Sequence, residues 1–82
     1  MKPKFKTRDT VSIIRYLVYT KKWCVYQKDK QIYSQDTMQG DIRYHFADAG
    51  DSPWYFENAC FKSAEQARLE CSKRNMLLKQ RF

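Results

Sequence analysis

Apolar and aromatic residues follow three different rhythms along this chain. From Thr10 the run Val11, Ile13, Ile14, Tyr16, Leu17, Val18 and Tyr19 is rich in β-branched and aromatic side chains and stops at Lys21 and Lys22, a strand pattern. The adjacent pair Ile13 and Ile14 breaks strict alternation, which predicts a bulge or a strand covered on both faces. Trp23-Cys24-Val25-Tyr26 and Gln31-Ile32-Tyr33-Ser34 flank the polar Gln27-Lys28-Asp29-Lys30, so two short strands in a hairpin with a charged tip are expected. After the loop glycine Gly40, Ile42, Tyr44 and Phe46 alternate with Arg43 and His45, giving one apolar and one polar strand face. Ala47 to Pro53 is dense in turn formers: Gly50 permits positive φ, Asp48 and Asp51 can bond their own backbone, and Pro53 fixes φ. Trp54-Tyr55-Phe56 and Ala59-Cys60-Phe61, parted by Glu57 and Asn58, predict a strand interrupted or bent in its middle.

The last segment changes period. Ser63 followed by Gln66 is a capping-box pattern, in which side chains satisfy the orphaned donors of a first helical turn, so a helix is predicted from Ala64 to about residue 78. Ala67, Cys71 and Leu78 share one face, extended by Ala64 and Arg74, while Glu65, Arg68, Ser72 and Lys79 turn to solvent. Small residues at positions 64 and 67 would let this helix approach a sheet closely. Strands over about 10–61 followed by one helix make an α+β protein.

With 82 residues the chain is a single small domain, spanning residues 9–82 and preceded by a flexible basic arm over residues 1–8 whose Phe5 can dock on the core. Aromatic residues make up 16% of the sequence, which excludes wholesale disorder, and the longest apolar stretches fall far short of the ~20 residues of a bilayer span. Net charge is +7 and unevenly spread. Residues 1–35 carry nine basic against two acidic side chains, residues 36–61 one against five, and residues 62–82 six against two. Two basic ends around an acidic waist suit attraction to polyanions without uniform stickiness. Cys24, Cys60 and Cys71 are odd in number and lack CxxC spacing, and no secretory signal precedes them, so they read as small core hydrophobes in a reducing cytoplasm.

No pattern spells out a reaction. His45 with any of the three cysteines would need a geometry that spacing alone does not supply, and the same side chains lack metal-ligand spacing. The carboxylate pairs Asp48 with Asp51 and Asp36 with Asp41 fall in turn-forming stretches. No catalytic, metal or cofactor-binding residues are therefore expected. What stands out is basic residues interleaved with aromatics, a combination that neutralises phosphates, stacks on bases, or supplies hot spots to a protein interface. The candidate partner or nucleic-acid contacts are Arg15, Tyr19, Lys21, Lys22, Tyr26, Lys28, Lys30 and Tyr55, with Lys73 and Arg74 on the helix, whose basic end also includes Lys79 and Arg81. Trp23 and Trp54 are expected to be largely buried.

The order of these elements, with Asp9-Thr10-Val11 at the start, Glu57, then Phe61-Lys62-Ser63-Ala64-Glu65-Gln66-Ala67 and Cys71-Ser72-Lys73-Arg74-Asn75, resembles small phage and mobile-element proteins of largely unassigned function. These look like small SH3-like or KOW-like barrels closed by one C-terminal helix. Arg8 departs from that pattern, standing where such proteins often place a glycine. The resemblance implies an antiparallel SH3-like sheet or barrel of four to five strands. It also implies an origin in a phage or similar element and a non-enzymatic binding role. The expected action, in the host bacterial cytoplasm, is to dock on a host protein or ribonucleoprotein and inhibit or redirect it. A defence system such as CRISPR or restriction is one such target. An unpaired barrel edge would allow a homodimer as well as a monomer. Direct nucleic-acid binding through the basic and aromatic surface is the alternative.

Overall fold

The computed structural model describes residues 2–48, 50 and 52–80. Asp51 and Arg81, expected as a turn former and a basic helix-end residue, lie outside the described residues. The elements run β1 (Thr10–Leu17), β2 (Lys22–Met38), β3 (Asp41–Phe46), β4 (Trp54–Phe56), a 3-10 turn (Glu57–Ala59), β5 (Cys60–Phe61) and α1 (Ala64–Lys79). The strands form one antiparallel sheet in the order β4-β3-β2-β1-β5, with α1 against β1, β2 and β5, so the expected small α+β fold is what the chain adopts.

The interrupted strand expected around Glu57 sets the shape of that sheet. Phe56 ends one edge strand and Cys60 begins the other, four residues on. Four steps reach at most about 14 Å, whereas the edges of a flat five-stranded sheet lie about 19 Å apart. The sheet must therefore curl, and it curls around Val11, Ile13, Ile32, Ile42, Tyr44, Phe46 and Cys60. Strand β1 is buried on both faces, as the Ile13-Ile14 pair predicts. Ile13 packs inside the curl, while Ile14 turns outward to meet Ala67 and Cys71 of the helix, with Trp23 and Val25 alongside. Ala67 is wholly buried and carries no bulk beyond Cβ, which lets α1 lie close.

The predicted tip at Gln27–Lys30 is not a turn. These residues run through the middle of a 17-residue strand, and the mismatch with β1 is absorbed by two register shifts opposite Val11–Ile14. Asp29 takes a left-handed φ of 52°, a conformation that Asp tolerates better than most residues, and so kinks the strand without reversing it. The true reversals lie elsewhere. Val18–Lys21 joins β1 to β2, with the Lys21 N–H donating to the Leu17 carbonyl at 2.8 Å. Gln39 and Gly40 join β2 to β3 with φ of 53° and 87°, the two left-handed positions of a type I′ hairpin turn. The helix matches its predicted start: the Gln66 N–H donates to Ser63 Oγ at 3.2 Å. The helix runs on to Lys79, and Asn75 within it faces β2. Its amide accepts from the Trp23 N–H at 2.7 Å and donates to the Trp23 carbonyl at 3.1 Å, so a helix side chain serves that stretch of β2 as a neighbouring strand would.

The arm is tied to the core at Phe5, whose ring meets Tyr44 edge-on at 5.7 Å. The Tyr44 hydroxyl accepts the Phe5 N–H at 3.2 Å and donates to Glu57 Oε2 at 2.6 Å, and that same oxygen accepts the Lys4 N–H at 2.9 Å. Burial and the Glu57 carboxylate push the Tyr44 phenol up to about 12. Ser12 presents the opposite situation, a fully buried hydroxyl with no partner among the described residues. Tyr44→Phe should therefore lose about 1.5–3 kcal/mol of unfolding free energy, the usual worth of a hydrogen bond to a charged group. Ser12→Ala should be neutral or gain up to about 1 kcal/mol. Urea melts of both variants test this pair of opposite signs.

Candidate binding surfaces

Folding converts the charge sequence into a charge geometry. The acidic waist becomes the last three residues of β2, then β3, β4, the 3-10 turn, β5 and their loops, while the basic segments become the arm, β1, the rest of β2 and the helix. The basic candidates do not gather at one place. Lys21 and Lys22 stand at the β1–β2 tip and line a groove of about 500 Å³ together with Ser72, Asn75, Met76, Leu78 and Lys79 from the helix end. Tyr19 projects from the same tip, 84% exposed, beside the equally unburied Val18. Lys73 is exposed on α1.

Four other candidates have their side chains committed within the fold. The Arg74 guanidinium sits 4.5 Å from the Trp23 ring, pairs with Glu70 at 2.7 Å and donates to the Asn58 carbonyl at 3.0 Å, which fastens the helix to β2 and the 3-10 turn. Arg15 lies over the Tyr26 ring at 5.0 Å. Tyr55 faces inward, edge-on to Phe46 at 6.2 Å. Lys28 is exposed beside the β2 kink, and Lys30 is half-buried along a separate groove near the arm.

Both tryptophans are half-buried where the sequence predicts them largely buried, Trp23 beneath the Arg74 guanidinium and Trp54 on the far side of the sheet order. Trp54 lies on the outer face of β4 because Tyr55 takes the inward position of a three-residue strand and alternation sends its neighbours out. Phe56 stands beside Trp54 at 5.1 Å, and Arg43 stacks on the Trp54 ring at 5.0 Å. Arg43 also holds Asp36, its cross-strand partner, through two hydrogen bonds of 2.5 and 2.9 Å, and His45 Nε2 approaches Asp36 at 3.2 Å. The Arg43 guanidinium, aided by His45, holds the Asp36 carboxyl well below its ordinary range, at about 2. His45 thus lies on the polar strand face, and the fold does not bring a thiol to it. Cys60 is inside the curl, Cys71 is under the helix, and Cys24 pairs with Arg15 on the other half of β2. Burial raises Cys60 to about 12 and raises Cys71 as well, so both are protonated at neutral pH. Among the described residues no three His, Cys, Asp or Glu side chains converge as metal ligands.

The helix contributes residues that the strand pattern drew attention away from. Leu69, Met76 and Leu77 are more than half exposed, off the Ala67-Cys71 face. Their signal was present in the helical period, as apolar residues placed opposite the buried stripe. No family model, curated protein or solved structure matches the chain.

Because the folded-state pKa of Asp36 is depressed, its contribution to stability is complete above about 3.8 and is lost as pH falls towards about 2. Asp36→Asn should flatten the acid limb of stability in that window and leave neutral-pH behaviour of the remaining carboxylates unchanged. Thermal melts at stepwise lower pH check this. An identical acid limb in the variant would show that the ion pair contributes nothing.

Proposed function

We propose that this chain is a non-enzymatic binding module of the phage type, which docks on a larger host protein or nucleoprotein and inhibits or redirects it. One observation carries the reading. Two elements some fifty residues apart in sequence contribute Lys21, Lys22 and Lys79 to a single groove floored by Met76 and Leu78. Val18 and Tyr19 stand exposed on the tip that contributes Lys21 and Lys22, and Leu77 on the helix end that contributes Met76 and Leu78.

Cations around exposed apolar side chains suit a partner segment that alternates acidic and apolar residues. The lysines accelerate encounter and set orientation, and the apolar groups supply the desolvated centre of the contact. Tyr19 is the natural anchor, large and amphipathic with few rotors to freeze. The second reading, direct nucleic-acid binding, draws support from the net charge of +7 and its concentration on the arm, the β1–β2 tip with the first half of β2, and the helix.

The test is capture from nuclease-treated bacterial lysate by the tagged protein, run beside a Lys22→Glu/Met76→Asp variant. Both substitutions are at exposed positions, so the fold is retained. A defined, stoichiometric protein that survives nuclease and is lost with the variant is the expected result. Recovery of nucleic acid alone, abolished by nuclease, would replace this reading with the second.

A further inference from the structure

Three departures from local backbone rules converge on one place away from the helix. The first is Arg8. The Asp9 N–H closes a four-residue turn onto the Lys6 carbonyl at 3.0 Å, and Arg8, its third residue, has φ of 82°. That is the pattern of a type II turn at the position where glycine belongs, and a residue with a Cβ is strained there. The second is Asp29, left-handed at φ 52° immediately before Lys30. The third is Tyr33, the extra residue at the register shift between Ile32 and Ser34, 72% exposed beside the buried Ile32.

The strain at Arg8 is held in place from both sides. The Arg8 N–H donates to the Ile32 carbonyl at 2.8 Å, the Gln31 side-chain amide donates to the Arg8 carbonyl at 3.2 Å, and the Ile32 N–H donates to the Asp9 carbonyl at 2.9 Å. None of these bonds needs an arginine side chain; glycine would make all of the backbone ones without strain. Strain that persists only because its surroundings over-determine it marks a position whose side chain has work to do.

Arg8, Lys30 and Tyr33 line one groove of about 510 Å³, within the size range of small-molecule sites. Asp48 opposes them weakly, 3.9 Å from Lys30 with its own carboxylate almost wholly in solvent. Arg8 offers a planar fork for phosphate oxygens, Lys30 a second cation, and Tyr33 an unpacked ring face.

We propose that this groove binds a nucleotide unit, its phosphate held by Arg8 and Lys30 and its base stacked on Tyr33, and that the unit belongs to a single strand. The site is separate from the groove between the β1–β2 tip and the helix, and either can fail without the other.

The test compares wild type with Arg8→Gly, Tyr33→Ala and Arg68→Ala by fluorescence anisotropy on a labelled ten-nucleotide thymidine strand between 50 and 200 mM salt. Thymidine monophosphate serves as competitor, and thermal melts are run in parallel. Arg68 is an exposed helix cation that does not line the groove, so its removal matches the charge change alone. Arg8→Gly should melt no lower than wild type yet bind about tenfold more weakly, with the slope of log affinity against log salt reduced by about 0.7, one phosphate's share on a single strand. Tyr33→Ala should lose about tenfold through stacking, and Arg68→Ala should stay within twofold of wild type. Displacement by the monophosphate at concentrations near those of the strand would identify the free nucleotide as ligand of the same site. Equal weakening in Arg8→Gly and Arg68→Ala, or no binding by wild type at 50 mM salt, would overturn the proposal.

Discussion

A single hydroxyl deep in the sheet ties together β3, the turn between the sheet edges and the N-terminal arm. Tyr44 is fully buried at the centre of β3, and its hydroxyl reaches Glu57 on the short turn that carries the chain from one sheet edge to the other. The curl of the sheet depends on that turn, and the turn is pinned by the tyrosine from within. The same pair of side chains receives the backbone N–H groups of Lys4 and Phe5, so the arm closes over the polar end of an otherwise apolar core. A phenylalanine at position 44 would fill the same volume, yet it would leave the arm and the turn without a common partner.

From that closure follows the separation of the two faces. Because the sheet curls around one set of apolar residues, the outside of β1 needs a second cover, and the helix supplies it through Ala67 and Cys71 against Ile14. The helix is fixed in that position by Asn75 on the Trp23 backbone and by Arg74 on the Trp23 ring. Its end is thereby brought beside the β1–β2 tip, where the basic segments meet. An arginine that charge counting places on a binding surface turns out to hold two elements together, and the lysines it leaves behind form the groove.

What could be read in the sequence was what depends on neighbouring residues. The cap at Ser63, the inward face of the helix, the alternation of β3 and the double-sided β1 all follow from local chemistry or from a period. The polar run Gln27–Lys30 could not be read correctly, because a charged tetrapeptide looks the same as a tip or as the exposed stretch of a long strand. Only pairing with β1 decides between them. Trp54 misleads for a similar reason. A tryptophan is usually worth burying, but in a three-residue strand the inward place belongs to one ring alone, and Tyr55 has it. Arg74 and Asn75 act across more than fifty residues or across the width of the sheet, and no spacing along the chain encodes that.

The left-handed residues carry the last step. Five described positions outside Gly50 have positive φ, and they do not need one explanation. Gln39 and Gly40 serve a two-residue hairpin that demands two such residues, and Lys21 closes the β1–β2 tip. Gly50 answers to crowding as well as to φ, since a Cβ there would stand 2.5 Å from the Tyr26 ring. Asp29 kinks β2 where its register with β1 shifts. Arg8 remains: it closes no hairpin between strands, and it lines the groove that Tyr33 overlooks. A domain this small has little stability to spare, so a strained arginine where glycine would serve the fold is tied to what that surface holds rather than to how the chain folds.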